Sequence, residues 1–117
     1  MLKNNEDVLN IVYNITNHLQ YEVDKDNIVT ILEKQDHKIQ RFFRKIRFKI
    51  PEYKKITLDE YGSFVFLQID GKRNVKDIGE RLEVRFGNEI QPLYERLLVY
   101  LNHIDVNCNY IEKSNFS

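Results

Sequence analysis

LDEYGSFVFLQIDGKRNVKDIGERLEVR, residues 58–85, is the stretch of sequence that decides the fold of this chain. Its apolar residues recur at helical spacing on both sides of Asp70 and Gly71, which predicts two amphipathic helices joined by a tight turn. Asp59 or Thr57 can cap the first helix, and Asn74 with Asp77 three residues later predicts a variant capping box on the second. The stretch carries no catalytic constellation, so it indicates a small binding module rather than an enzyme.

The segments around this stretch complete a helix-and-strand pattern. An apolar stripe at helical spacing over residues 7–19 predicts an N-terminal helix. Residues 21–23 and 28–32, separated by a polar turn, read as a β-hairpin, and residues 54–58 read as a third strand. A last helix is expected over residues 90–104. The predicted architecture is therefore α+β and winged-helix-like, with a small three-stranded antiparallel sheet followed by a three-helix unit.

Chain length and segment composition suggest how the domain is organised. A chain of 117 residues is long enough for one modest core. We expect an N-terminal helical extension over residues 1–20 and the winged-helix domain over 21–106, with a basic helical insertion at 36–50 between the second and third strands. Residues 107–117 form a polar tail that is expected to fray, although Tyr110 and Ile111 offer a short strand as an alternative.

Composition excludes several classes of protein. The 18 basic and 18 acidic residues give a formal net charge of zero. A single cysteine rules out an intrachain disulfide, which fits a reducing compartment. No segment approaches the roughly 20 apolar residues of a membrane-spanning helix. The sequence therefore predicts a cytoplasmic protein with no membrane span.

The reactive residue types are too scattered to suggest catalysis. His18, His37 and His103 lie in three separate elements without a second metal ligand at helical spacing. Cys108 has no nearby histidine in the sequence to act as a base, and the glycines do not form a phosphate-binding loop. The sequence thus predicts no enzyme activity, no cofactor and no metal site.

One segment concentrates positive charge. Residues 34–55 contain nine basic and two acidic residues. Within it an amphipathic segment carries a basic face, defined by Lys38, Arg41, Arg44, Lys45 and Arg47. This face is either ordinary solvated surface or a docking site for an acidic partner, whether peptide, protein, membrane or nucleic acid.

Two alternatives to a peptide-binding module stay open. A basic helix beside a winged helix suggests a DNA-binding regulator. The mixed charges of the later helices, including Glu80, Glu83 and Glu95, argue against a nucleic-acid partner because phosphate contacts dominate such affinity. The other alternative is a small structural or dimerisation module, which would make the chain a homodimer.

Residues 56–104 resemble the PqqD-like family. The matching motifs are LDEYGSFV at 58–65, IDGKRNV at 69–75 and LYERL at 93–97. The family comprises small chaperones of peptide-modification pathways, also called precursor-peptide recognition elements. The resemblance implies that the leader of a ribosomally made precursor peptide binds as an added strand, in the groove between the third strand and the third helix. It also implies delivery to a modifying enzyme, often a radical S-adenosylmethionine enzyme.

Transferred to this chain, the resemblance predicts a peptide-binding site made of two elements. The edge strand would supply Lys54, Lys55, Ile56, Thr57 and Leu58. The third helix would supply Leu93, Arg96 and Tyr100. Core packing or plain solvent exposure is the alternative explanation for each helix residue.

Overall fold

A computed structural model describes residues 8–34 and 53–114 of the chain. Strands precede and follow a run of three helices within these residues. The elements are β1 (Tyr13–Ile15), β2 (Gln20–Val23), β3 (Val29–Lys34), β4 (Tyr53–Thr57), α1 (Glu60–Gln68), α2 (Val75–Phe86), α3 (Leu93–Asn102) and β5 (Ile111–Lys113).

Strands β2, β3 and β4 form an antiparallel sheet in that order. The turn between β2 and β3 is held by Asp24, whose carboxylate accepts hydrogen bonds from the backbone N–H groups of Asp26 and Ile28 at 2.8 and 3.0 Å. In the register between β3 and β4, Ile31 lies opposite Ile56. Val29 and Ile31 are fully buried on the sheet face that meets the helices. The predicted hairpin and third strand are confirmed.

Side-chain caps begin the first two helices, as the sequence predicts. The Asp59 carboxylate accepts the N–H of Gly62 at 2.7 Å. At α2, Asn74 accepts the N–H of Asp77, and the Asp77 carboxylate accepts the N–H of Asn74, at 2.9 and 3.1 Å. Each cap satisfies backbone donors that have no partner inside the helix. The α+β architecture of a three-stranded sheet followed by three helices is therefore confirmed.

The turn between α1 and α2 is shaped by Asp70 and Gly71. The Asp70 carboxylate accepts the backbone N–H groups of Arg73 and Lys72 at 2.8 and 2.9 Å. These bonds, with that of Arg73 the stronger influence, hold the pKa of Asp70 below its usual value. Gly71 adopts a φ of +78°, and a Cβ there would lie 2.1 Å from Oδ1 of Asn14. Glycine is required for both reasons.

The predicted N-terminal helix is wrong for the described residues. Only Val8 and Leu9 are helical, and residues 13–15 form strand β1. The carbonyl oxygens of Ile11 and Tyr13 accept the N–H groups of Val75 and Gly71, each at 3.0 Å. The segment is therefore held extended by the turn between α1 and α2, a long-range partner that outweighs its helical apolar pattern.

The C-terminal segment is structured over residues 107–114. Strand β5 pairs antiparallel with β1, with Ile111 opposite Ile15. Tyr110 and Ile111 are 4% and 1% exposed and belong to the same core as the helices. The expectation of a frayed tail is wrong for residues 107–114, and the alternative of a short strand is confirmed.

The third helix is shorter than predicted. A 3₁₀ turn (Gly87–Ile90) precedes α3, and a π-helical turn (His103–Asn107) follows it. The expected helix at 90–104 is therefore regular α-helix only from Leu93 to Asn102. The predicted basic insertion at 36–50 lies outside the described residues.

One hydrophobic core joins the sheet to the helices. Its fully buried members include Phe66 on α1, Ile78 and Leu82 on α2, and Leu97 and Leu101 on α3. Gly79 allows α2 and α3 to approach closely, because a Cβ there would lie 2.4 Å from the ring of Tyr94. Across the described parts of the chain, no helix is both long enough and apolar enough to cross a membrane.

Candidate functional site

Strand β4 lies at one edge of the three-stranded sheet. Among the described residues it pairs only with β3. The N–H of Leu58, just after β4, donates to the carbonyl oxygen of Val29 at 2.9 Å. Hydrogen-bonded pairs alternate along an antiparallel ladder, so Ile56 and Lys54 direct their backbone groups toward β3. Lys55 and Thr57 consequently direct theirs away from β3, toward the outer edge of β4, which pairs with no other strand that the structure describes and is called the free edge below.

The side chains of β4 divide between the two faces of the sheet. Ile56 is half-buried and lies opposite the buried Ile31, so it belongs to the face that meets the helices. Thr57 belongs to the outer face, where its hydroxyl lies 3.2 Å from that of Thr30. Since side chains alternate, Lys54 shares the face of Ile56 and Lys55 shares the face of Thr57. Both lysines are exposed.

Tyr100 on α3 packs against the start of α1, directly after β4. Its hydroxyl donates to the carbonyl oxygen of Gly62 at 3.2 Å. A Cβ on Gly62 would lie 2.7 Å from this hydroxyl oxygen. Burial, and next the nearby Asp59 carboxylate, raise the pKa of Tyr100 well above its usual value. Tyr100 is therefore a neutral hydrogen-bond donor that holds α3 against the residues following the edge strand.

Tyr61 and Arg96 form the adjoining surface. The Arg96 guanidinium carbon lies 5.4 Å from the centroid of the Tyr61 ring, within range of a cation–π contact. The ring of Tyr61 meets that of Tyr100 edge-on, with centroids 5.7 Å apart. Its hydroxyl is buried and lacks a hydrogen-bond partner among the described residues. An aromatic and cationic surface therefore lies next to the C-terminal end of β4.

An open cleft of about 510 Å³ runs along α3 over this surface. Val99, 72% exposed, provides its apolar centre. The lining residues come from the start of α1 and from one side of α3: Tyr61, Pro92, Glu95, Arg96, Val99, Tyr100 and His103. The cleft is open to solvent, so an extended chain can enter it without displacing protein.

The candidate site lies inside a segment that matches a known protein family. Residues 50–105 match the family described as Coenzyme PQQ synthesis protein D (PqqD). This segment of the chain is PqqD-like. The match contains β4 and all three helices, and thus both elements of the candidate site. No curated protein and no solved structure gives a significant match to the chain. Similarity to PqqD implies an accessory role in a biosynthetic pathway.

The PqqD-like segment contains all the peptide-binding residues that the sequence analysis names. Lys54, Lys55, Ile56 and Thr57 lie on the edge strand, and Leu58 follows it directly. Arg96 and Tyr100 lie together along the cleft. Leu93 is 6% exposed and lies in the core, away from the cleft lining.

Five of the seven residues that line the cleft were not named for the site by sequence reasoning: Tyr61, Pro92, Glu95, Val99 and His103. Val99 follows Arg96 by three residues, so the helical period could have indicated it. The basic face, Lys38, Arg41, Arg44, Lys45 and Arg47, lies outside the described residues, and its role in docking stays a prediction.

A cysteine–histidine pair lies outside the matched motifs and was also missed. The π-helical turn brings Sγ of Cys108 to 3.5 Å from Nε2 of His103, and Nδ2 of Asn107 to 3.2 Å from Nδ1 of the same ring. Burial, and then the Glu33 carboxylate, raise the pKa of the Cys108 thiol. The thiol is therefore kept protonated rather than activated as a nucleophile. Within residues 8–34 and 53–114, no cluster of three or more metal-ligating side chains is present.

The contact between Gly62 and Tyr100 can be tested by substitution. Gly62→Ala is expected to lower the free energy of unfolding by about 1–2 kcal/mol, because the new methyl group forces the Tyr100 ring to move. Tyr100→Phe alone should cost about 1 kcal/mol through the lost hydrogen bond. Since Phe removes the atom nearest to the new methyl, the double variant should lose less stability than the two single variants added together. Urea denaturation of all four chains measures this coupling, and strict additivity would contradict the assigned contact.

Proposed function

We propose that this chain binds the leader of a ribosomally made precursor peptide as an added β-strand and presents it to a modifying enzyme, without catalysing a reaction itself. The observation that carries the proposal is the free edge of β4, which leads into the cleft on α3 within the segment that matches PqqD. In this proposal the chain acts in peptide modification as a binding protein.

The edge of β4 supplies the main source of affinity. The outward N–H and C=O groups of Lys55 and Thr57 are available for main-chain hydrogen bonds to an extended peptide. Such bonds do not depend on the peptide's side chains, so they support binding of a leader without selecting its sequence. An exposed edge is also an aggregation hazard, which a bound strand would remove.

The cleft on α3 supplies side-chain contacts. A strand that continues past Leu58 would meet the Tyr61 ring and the exposed Val99. Burial of an apolar leader side chain there would add roughly 1.5–3 kcal/mol of binding free energy. Arg96 provides a cation beside this surface, suited to a carboxylate or a carbonyl oxygen of the peptide.

The modifying enzyme is the second partner in this proposal. Family similarity favours a radical S-adenosylmethionine enzyme, and the basic face is the surface that we assign to docking. DNA binding receives less support, because the exposed faces of α2 and α3 carry Glu80, Glu83 and Glu95. A recognition helix in the major groove would bring such carboxylates close to phosphates.

Strand addition is tested at Thr57, whose N–H faces the free edge. Thr57→Pro removes that donor and adds a ring at the edge, but leaves the ladder to β3 intact. We expect at least a tenfold rise in Kd for the leader peptide, roughly 1.4 kcal/mol or more. The ligands to titrate by calorimetry are synthetic peptides covering the short reading frames beside this gene.

Thr57→Ala is the matched control for this test. It also removes the hydroxyl and the methyl group but keeps the backbone N–H, so it should bind like the unchanged chain. Circular dichroism must show the same fold for both variants. Equal peptide affinity of Thr57→Pro and Thr57→Ala would rule out strand addition at this edge.

A further inference from the structure

Two adjacent lysines lie on the edge strand β4. Lys54 and Lys55 are both exposed, and neither forms an ion pair with any residue that the structure describes. They are adjacent in sequence and therefore lie on opposite faces of the sheet. An added strand would place one of its side chains beside each lysine, one on each face.

The opposite end of the edge is acidic. Asp59 and Glu60 follow directly after Leu58. The Asp59 carboxylate caps α1, and the Glu60 carboxylate contacts Arg85. The formal charges along this part of the chain thus change sign, from Lys54 and Lys55 to Asp59 and Glu60, although both carboxylates are already engaged within the protein.

We infer that the peptide accepted by β4 carries two adjacent carboxylates next to an apolar residue. This inference rests on the proposed function and names the class of peptide that the same site selects. The carboxylates lie beside Lys54 and Lys55, and the apolar side chain lies beside Ile56. In an antiparallel strand the order from N to C is apolar, acidic, acidic.

The charges also determine how the peptide is placed along the edge. Main-chain bonds alone allow a strand to slip by two residues without changing faces. A shift toward Leu58 would move the carboxylates from the two lysines toward Asp59 and Glu60. Cross-strand pairs of opposite charge are favourable and like charges are unfavourable, so the acidic pair holds the strand in one register.

One acidic residue near Lys54 offsets the positive charge of this lysine only partly. Glu33 lies opposite Lys54 on β3 and on the same face. Its carboxylate accepts a hydrogen bond from the Tyr110 hydroxyl at 2.6 Å, and it does not come within ion-pair distance of Lys54. The ammonium group of Lys54 therefore has no ion-pair partner among residues 8–34 and 53–114.

The test is a selection from a random decapeptide library displayed on its own messenger RNA. The immobilised proteins are the full unchanged chain, the variant Lys54→Gln/Lys55→Gln, the variant Lys54→Glu/Lys55→Glu and Thr57→Pro. We expect the unchanged chain to enrich Asp–Asp, Asp–Glu or Glu–Glu pairs beside Ile, Leu or Val. The Gln variant should lose the acidic preference, and the Glu variant should enrich Lys and Arg at the same positions.

A selected peptide then provides the quantitative test. Replacing its two acids with the corresponding amides should weaken binding to the unchanged chain roughly tenfold, from two cross-strand ion pairs. The same replacement should leave binding to Lys54→Gln/Lys55→Gln nearly unchanged. Circular dichroism confirms that each variant is folded.

The outcomes separate the two proposals. If enrichment requires the Thr57 N–H but the enriched peptides contain no acidic pair, the charge inference is overturned and strand addition stands. The same conclusion follows if the unchanged chain and Lys54→Glu/Lys55→Glu enrich the same peptides. If Thr57→Pro enriches the same peptides as the unchanged chain, strand addition is contradicted and the charge inference fails with it. If no peptide is enriched, both strand addition and the charge inference are contradicted.

Discussion

A chain with alanine in place of Phe66 is expected to lose about 3–5 kcal/mol of unfolding free energy. Phe66 is 1% exposed and is the largest side chain in the fully buried set. Its ring meets that of Tyr21 edge-on at 4.9 Å, which connects α1 to strand β2. Since a small domain is stable by roughly 5–15 kcal/mol, this loss is a large fraction of the total and should lower the midpoint of thermal unfolding by many degrees.

Phe64→Ala is the matched control for Phe66→Ala. Phe64 lies on the same helix but is only partly buried, with its ring packed edge-on against Phe86 at 5.7 Å. Removing the Phe64 ring leaves no enclosed cavity, so the free energy of unfolding should fall by only about 1–2 kcal/mol. Urea denaturation gives both values. Equal losses for the two variants would show that Phe66 does not hold the sheet to α1.

A chain ending at Asn107 should lose a comparable amount of stability. It lacks Tyr110 and Ile111, which are 4% and 1% exposed, and it removes the partner strand of β1. Burial of two such side chains is worth about 3–6 kcal/mol. The carbonyl oxygen of Tyr110 also accepts the N–H of Thr16 at 3.0 Å, so a backbone donor near the core would lose its partner.

A chain ending at Ser114 keeps β5 whole and serves as the reference for this truncation. Thermal unfolding should give a midpoint lower by many degrees for the chain ending at Asn107. Hydrogen exchange should show that amides of β1 lose protection first, because β5 is their ladder partner. If the two chains unfold at the same temperature, β5 does not stabilise the domain.

Short-range sequence patterns are sufficient to predict the hairpin, the edge strand and the starts of the first two helices. A capping residue acts over three positions, so the pair Asn74 and Asp77 could be recognised from spacing alone, whereas Asp59 was one of two candidates with Thr57. The hairpin follows from β-branched residues around a polar turn. The edge strand of the candidate site, residues 54–58, could be located for the same reason. These features depend on neighbours along the chain.

Distant partners decided the structure of residues 8–19 and 107–114. The apolar residues between 8 and 19 fit a helical stripe, yet β1 forms because its backbone bonds to Gly71 and to the C-terminal strand. Residues 107–114 look polar and unstructured in sequence, yet Tyr110 and Ile111 complete the core. No local pattern encodes a bond between residues about 100 positions apart.

Some features of the candidate site follow from the sequence alone, and others depend on the tertiary structure. The sequence alone determined the helix caps, the hairpin, the edge strand and the two lysines on it, because each depends on residue type and short spacing. Only the tertiary structure decided that Lys55 and Thr57 present their backbone groups to the free edge, that Tyr100 rests on Gly62, that Leu93 is core, and that Tyr61 and Val99 line the cleft. Those facts depend on which elements pack together and in which register, and packing is a property of the whole chain rather than of any short stretch of it.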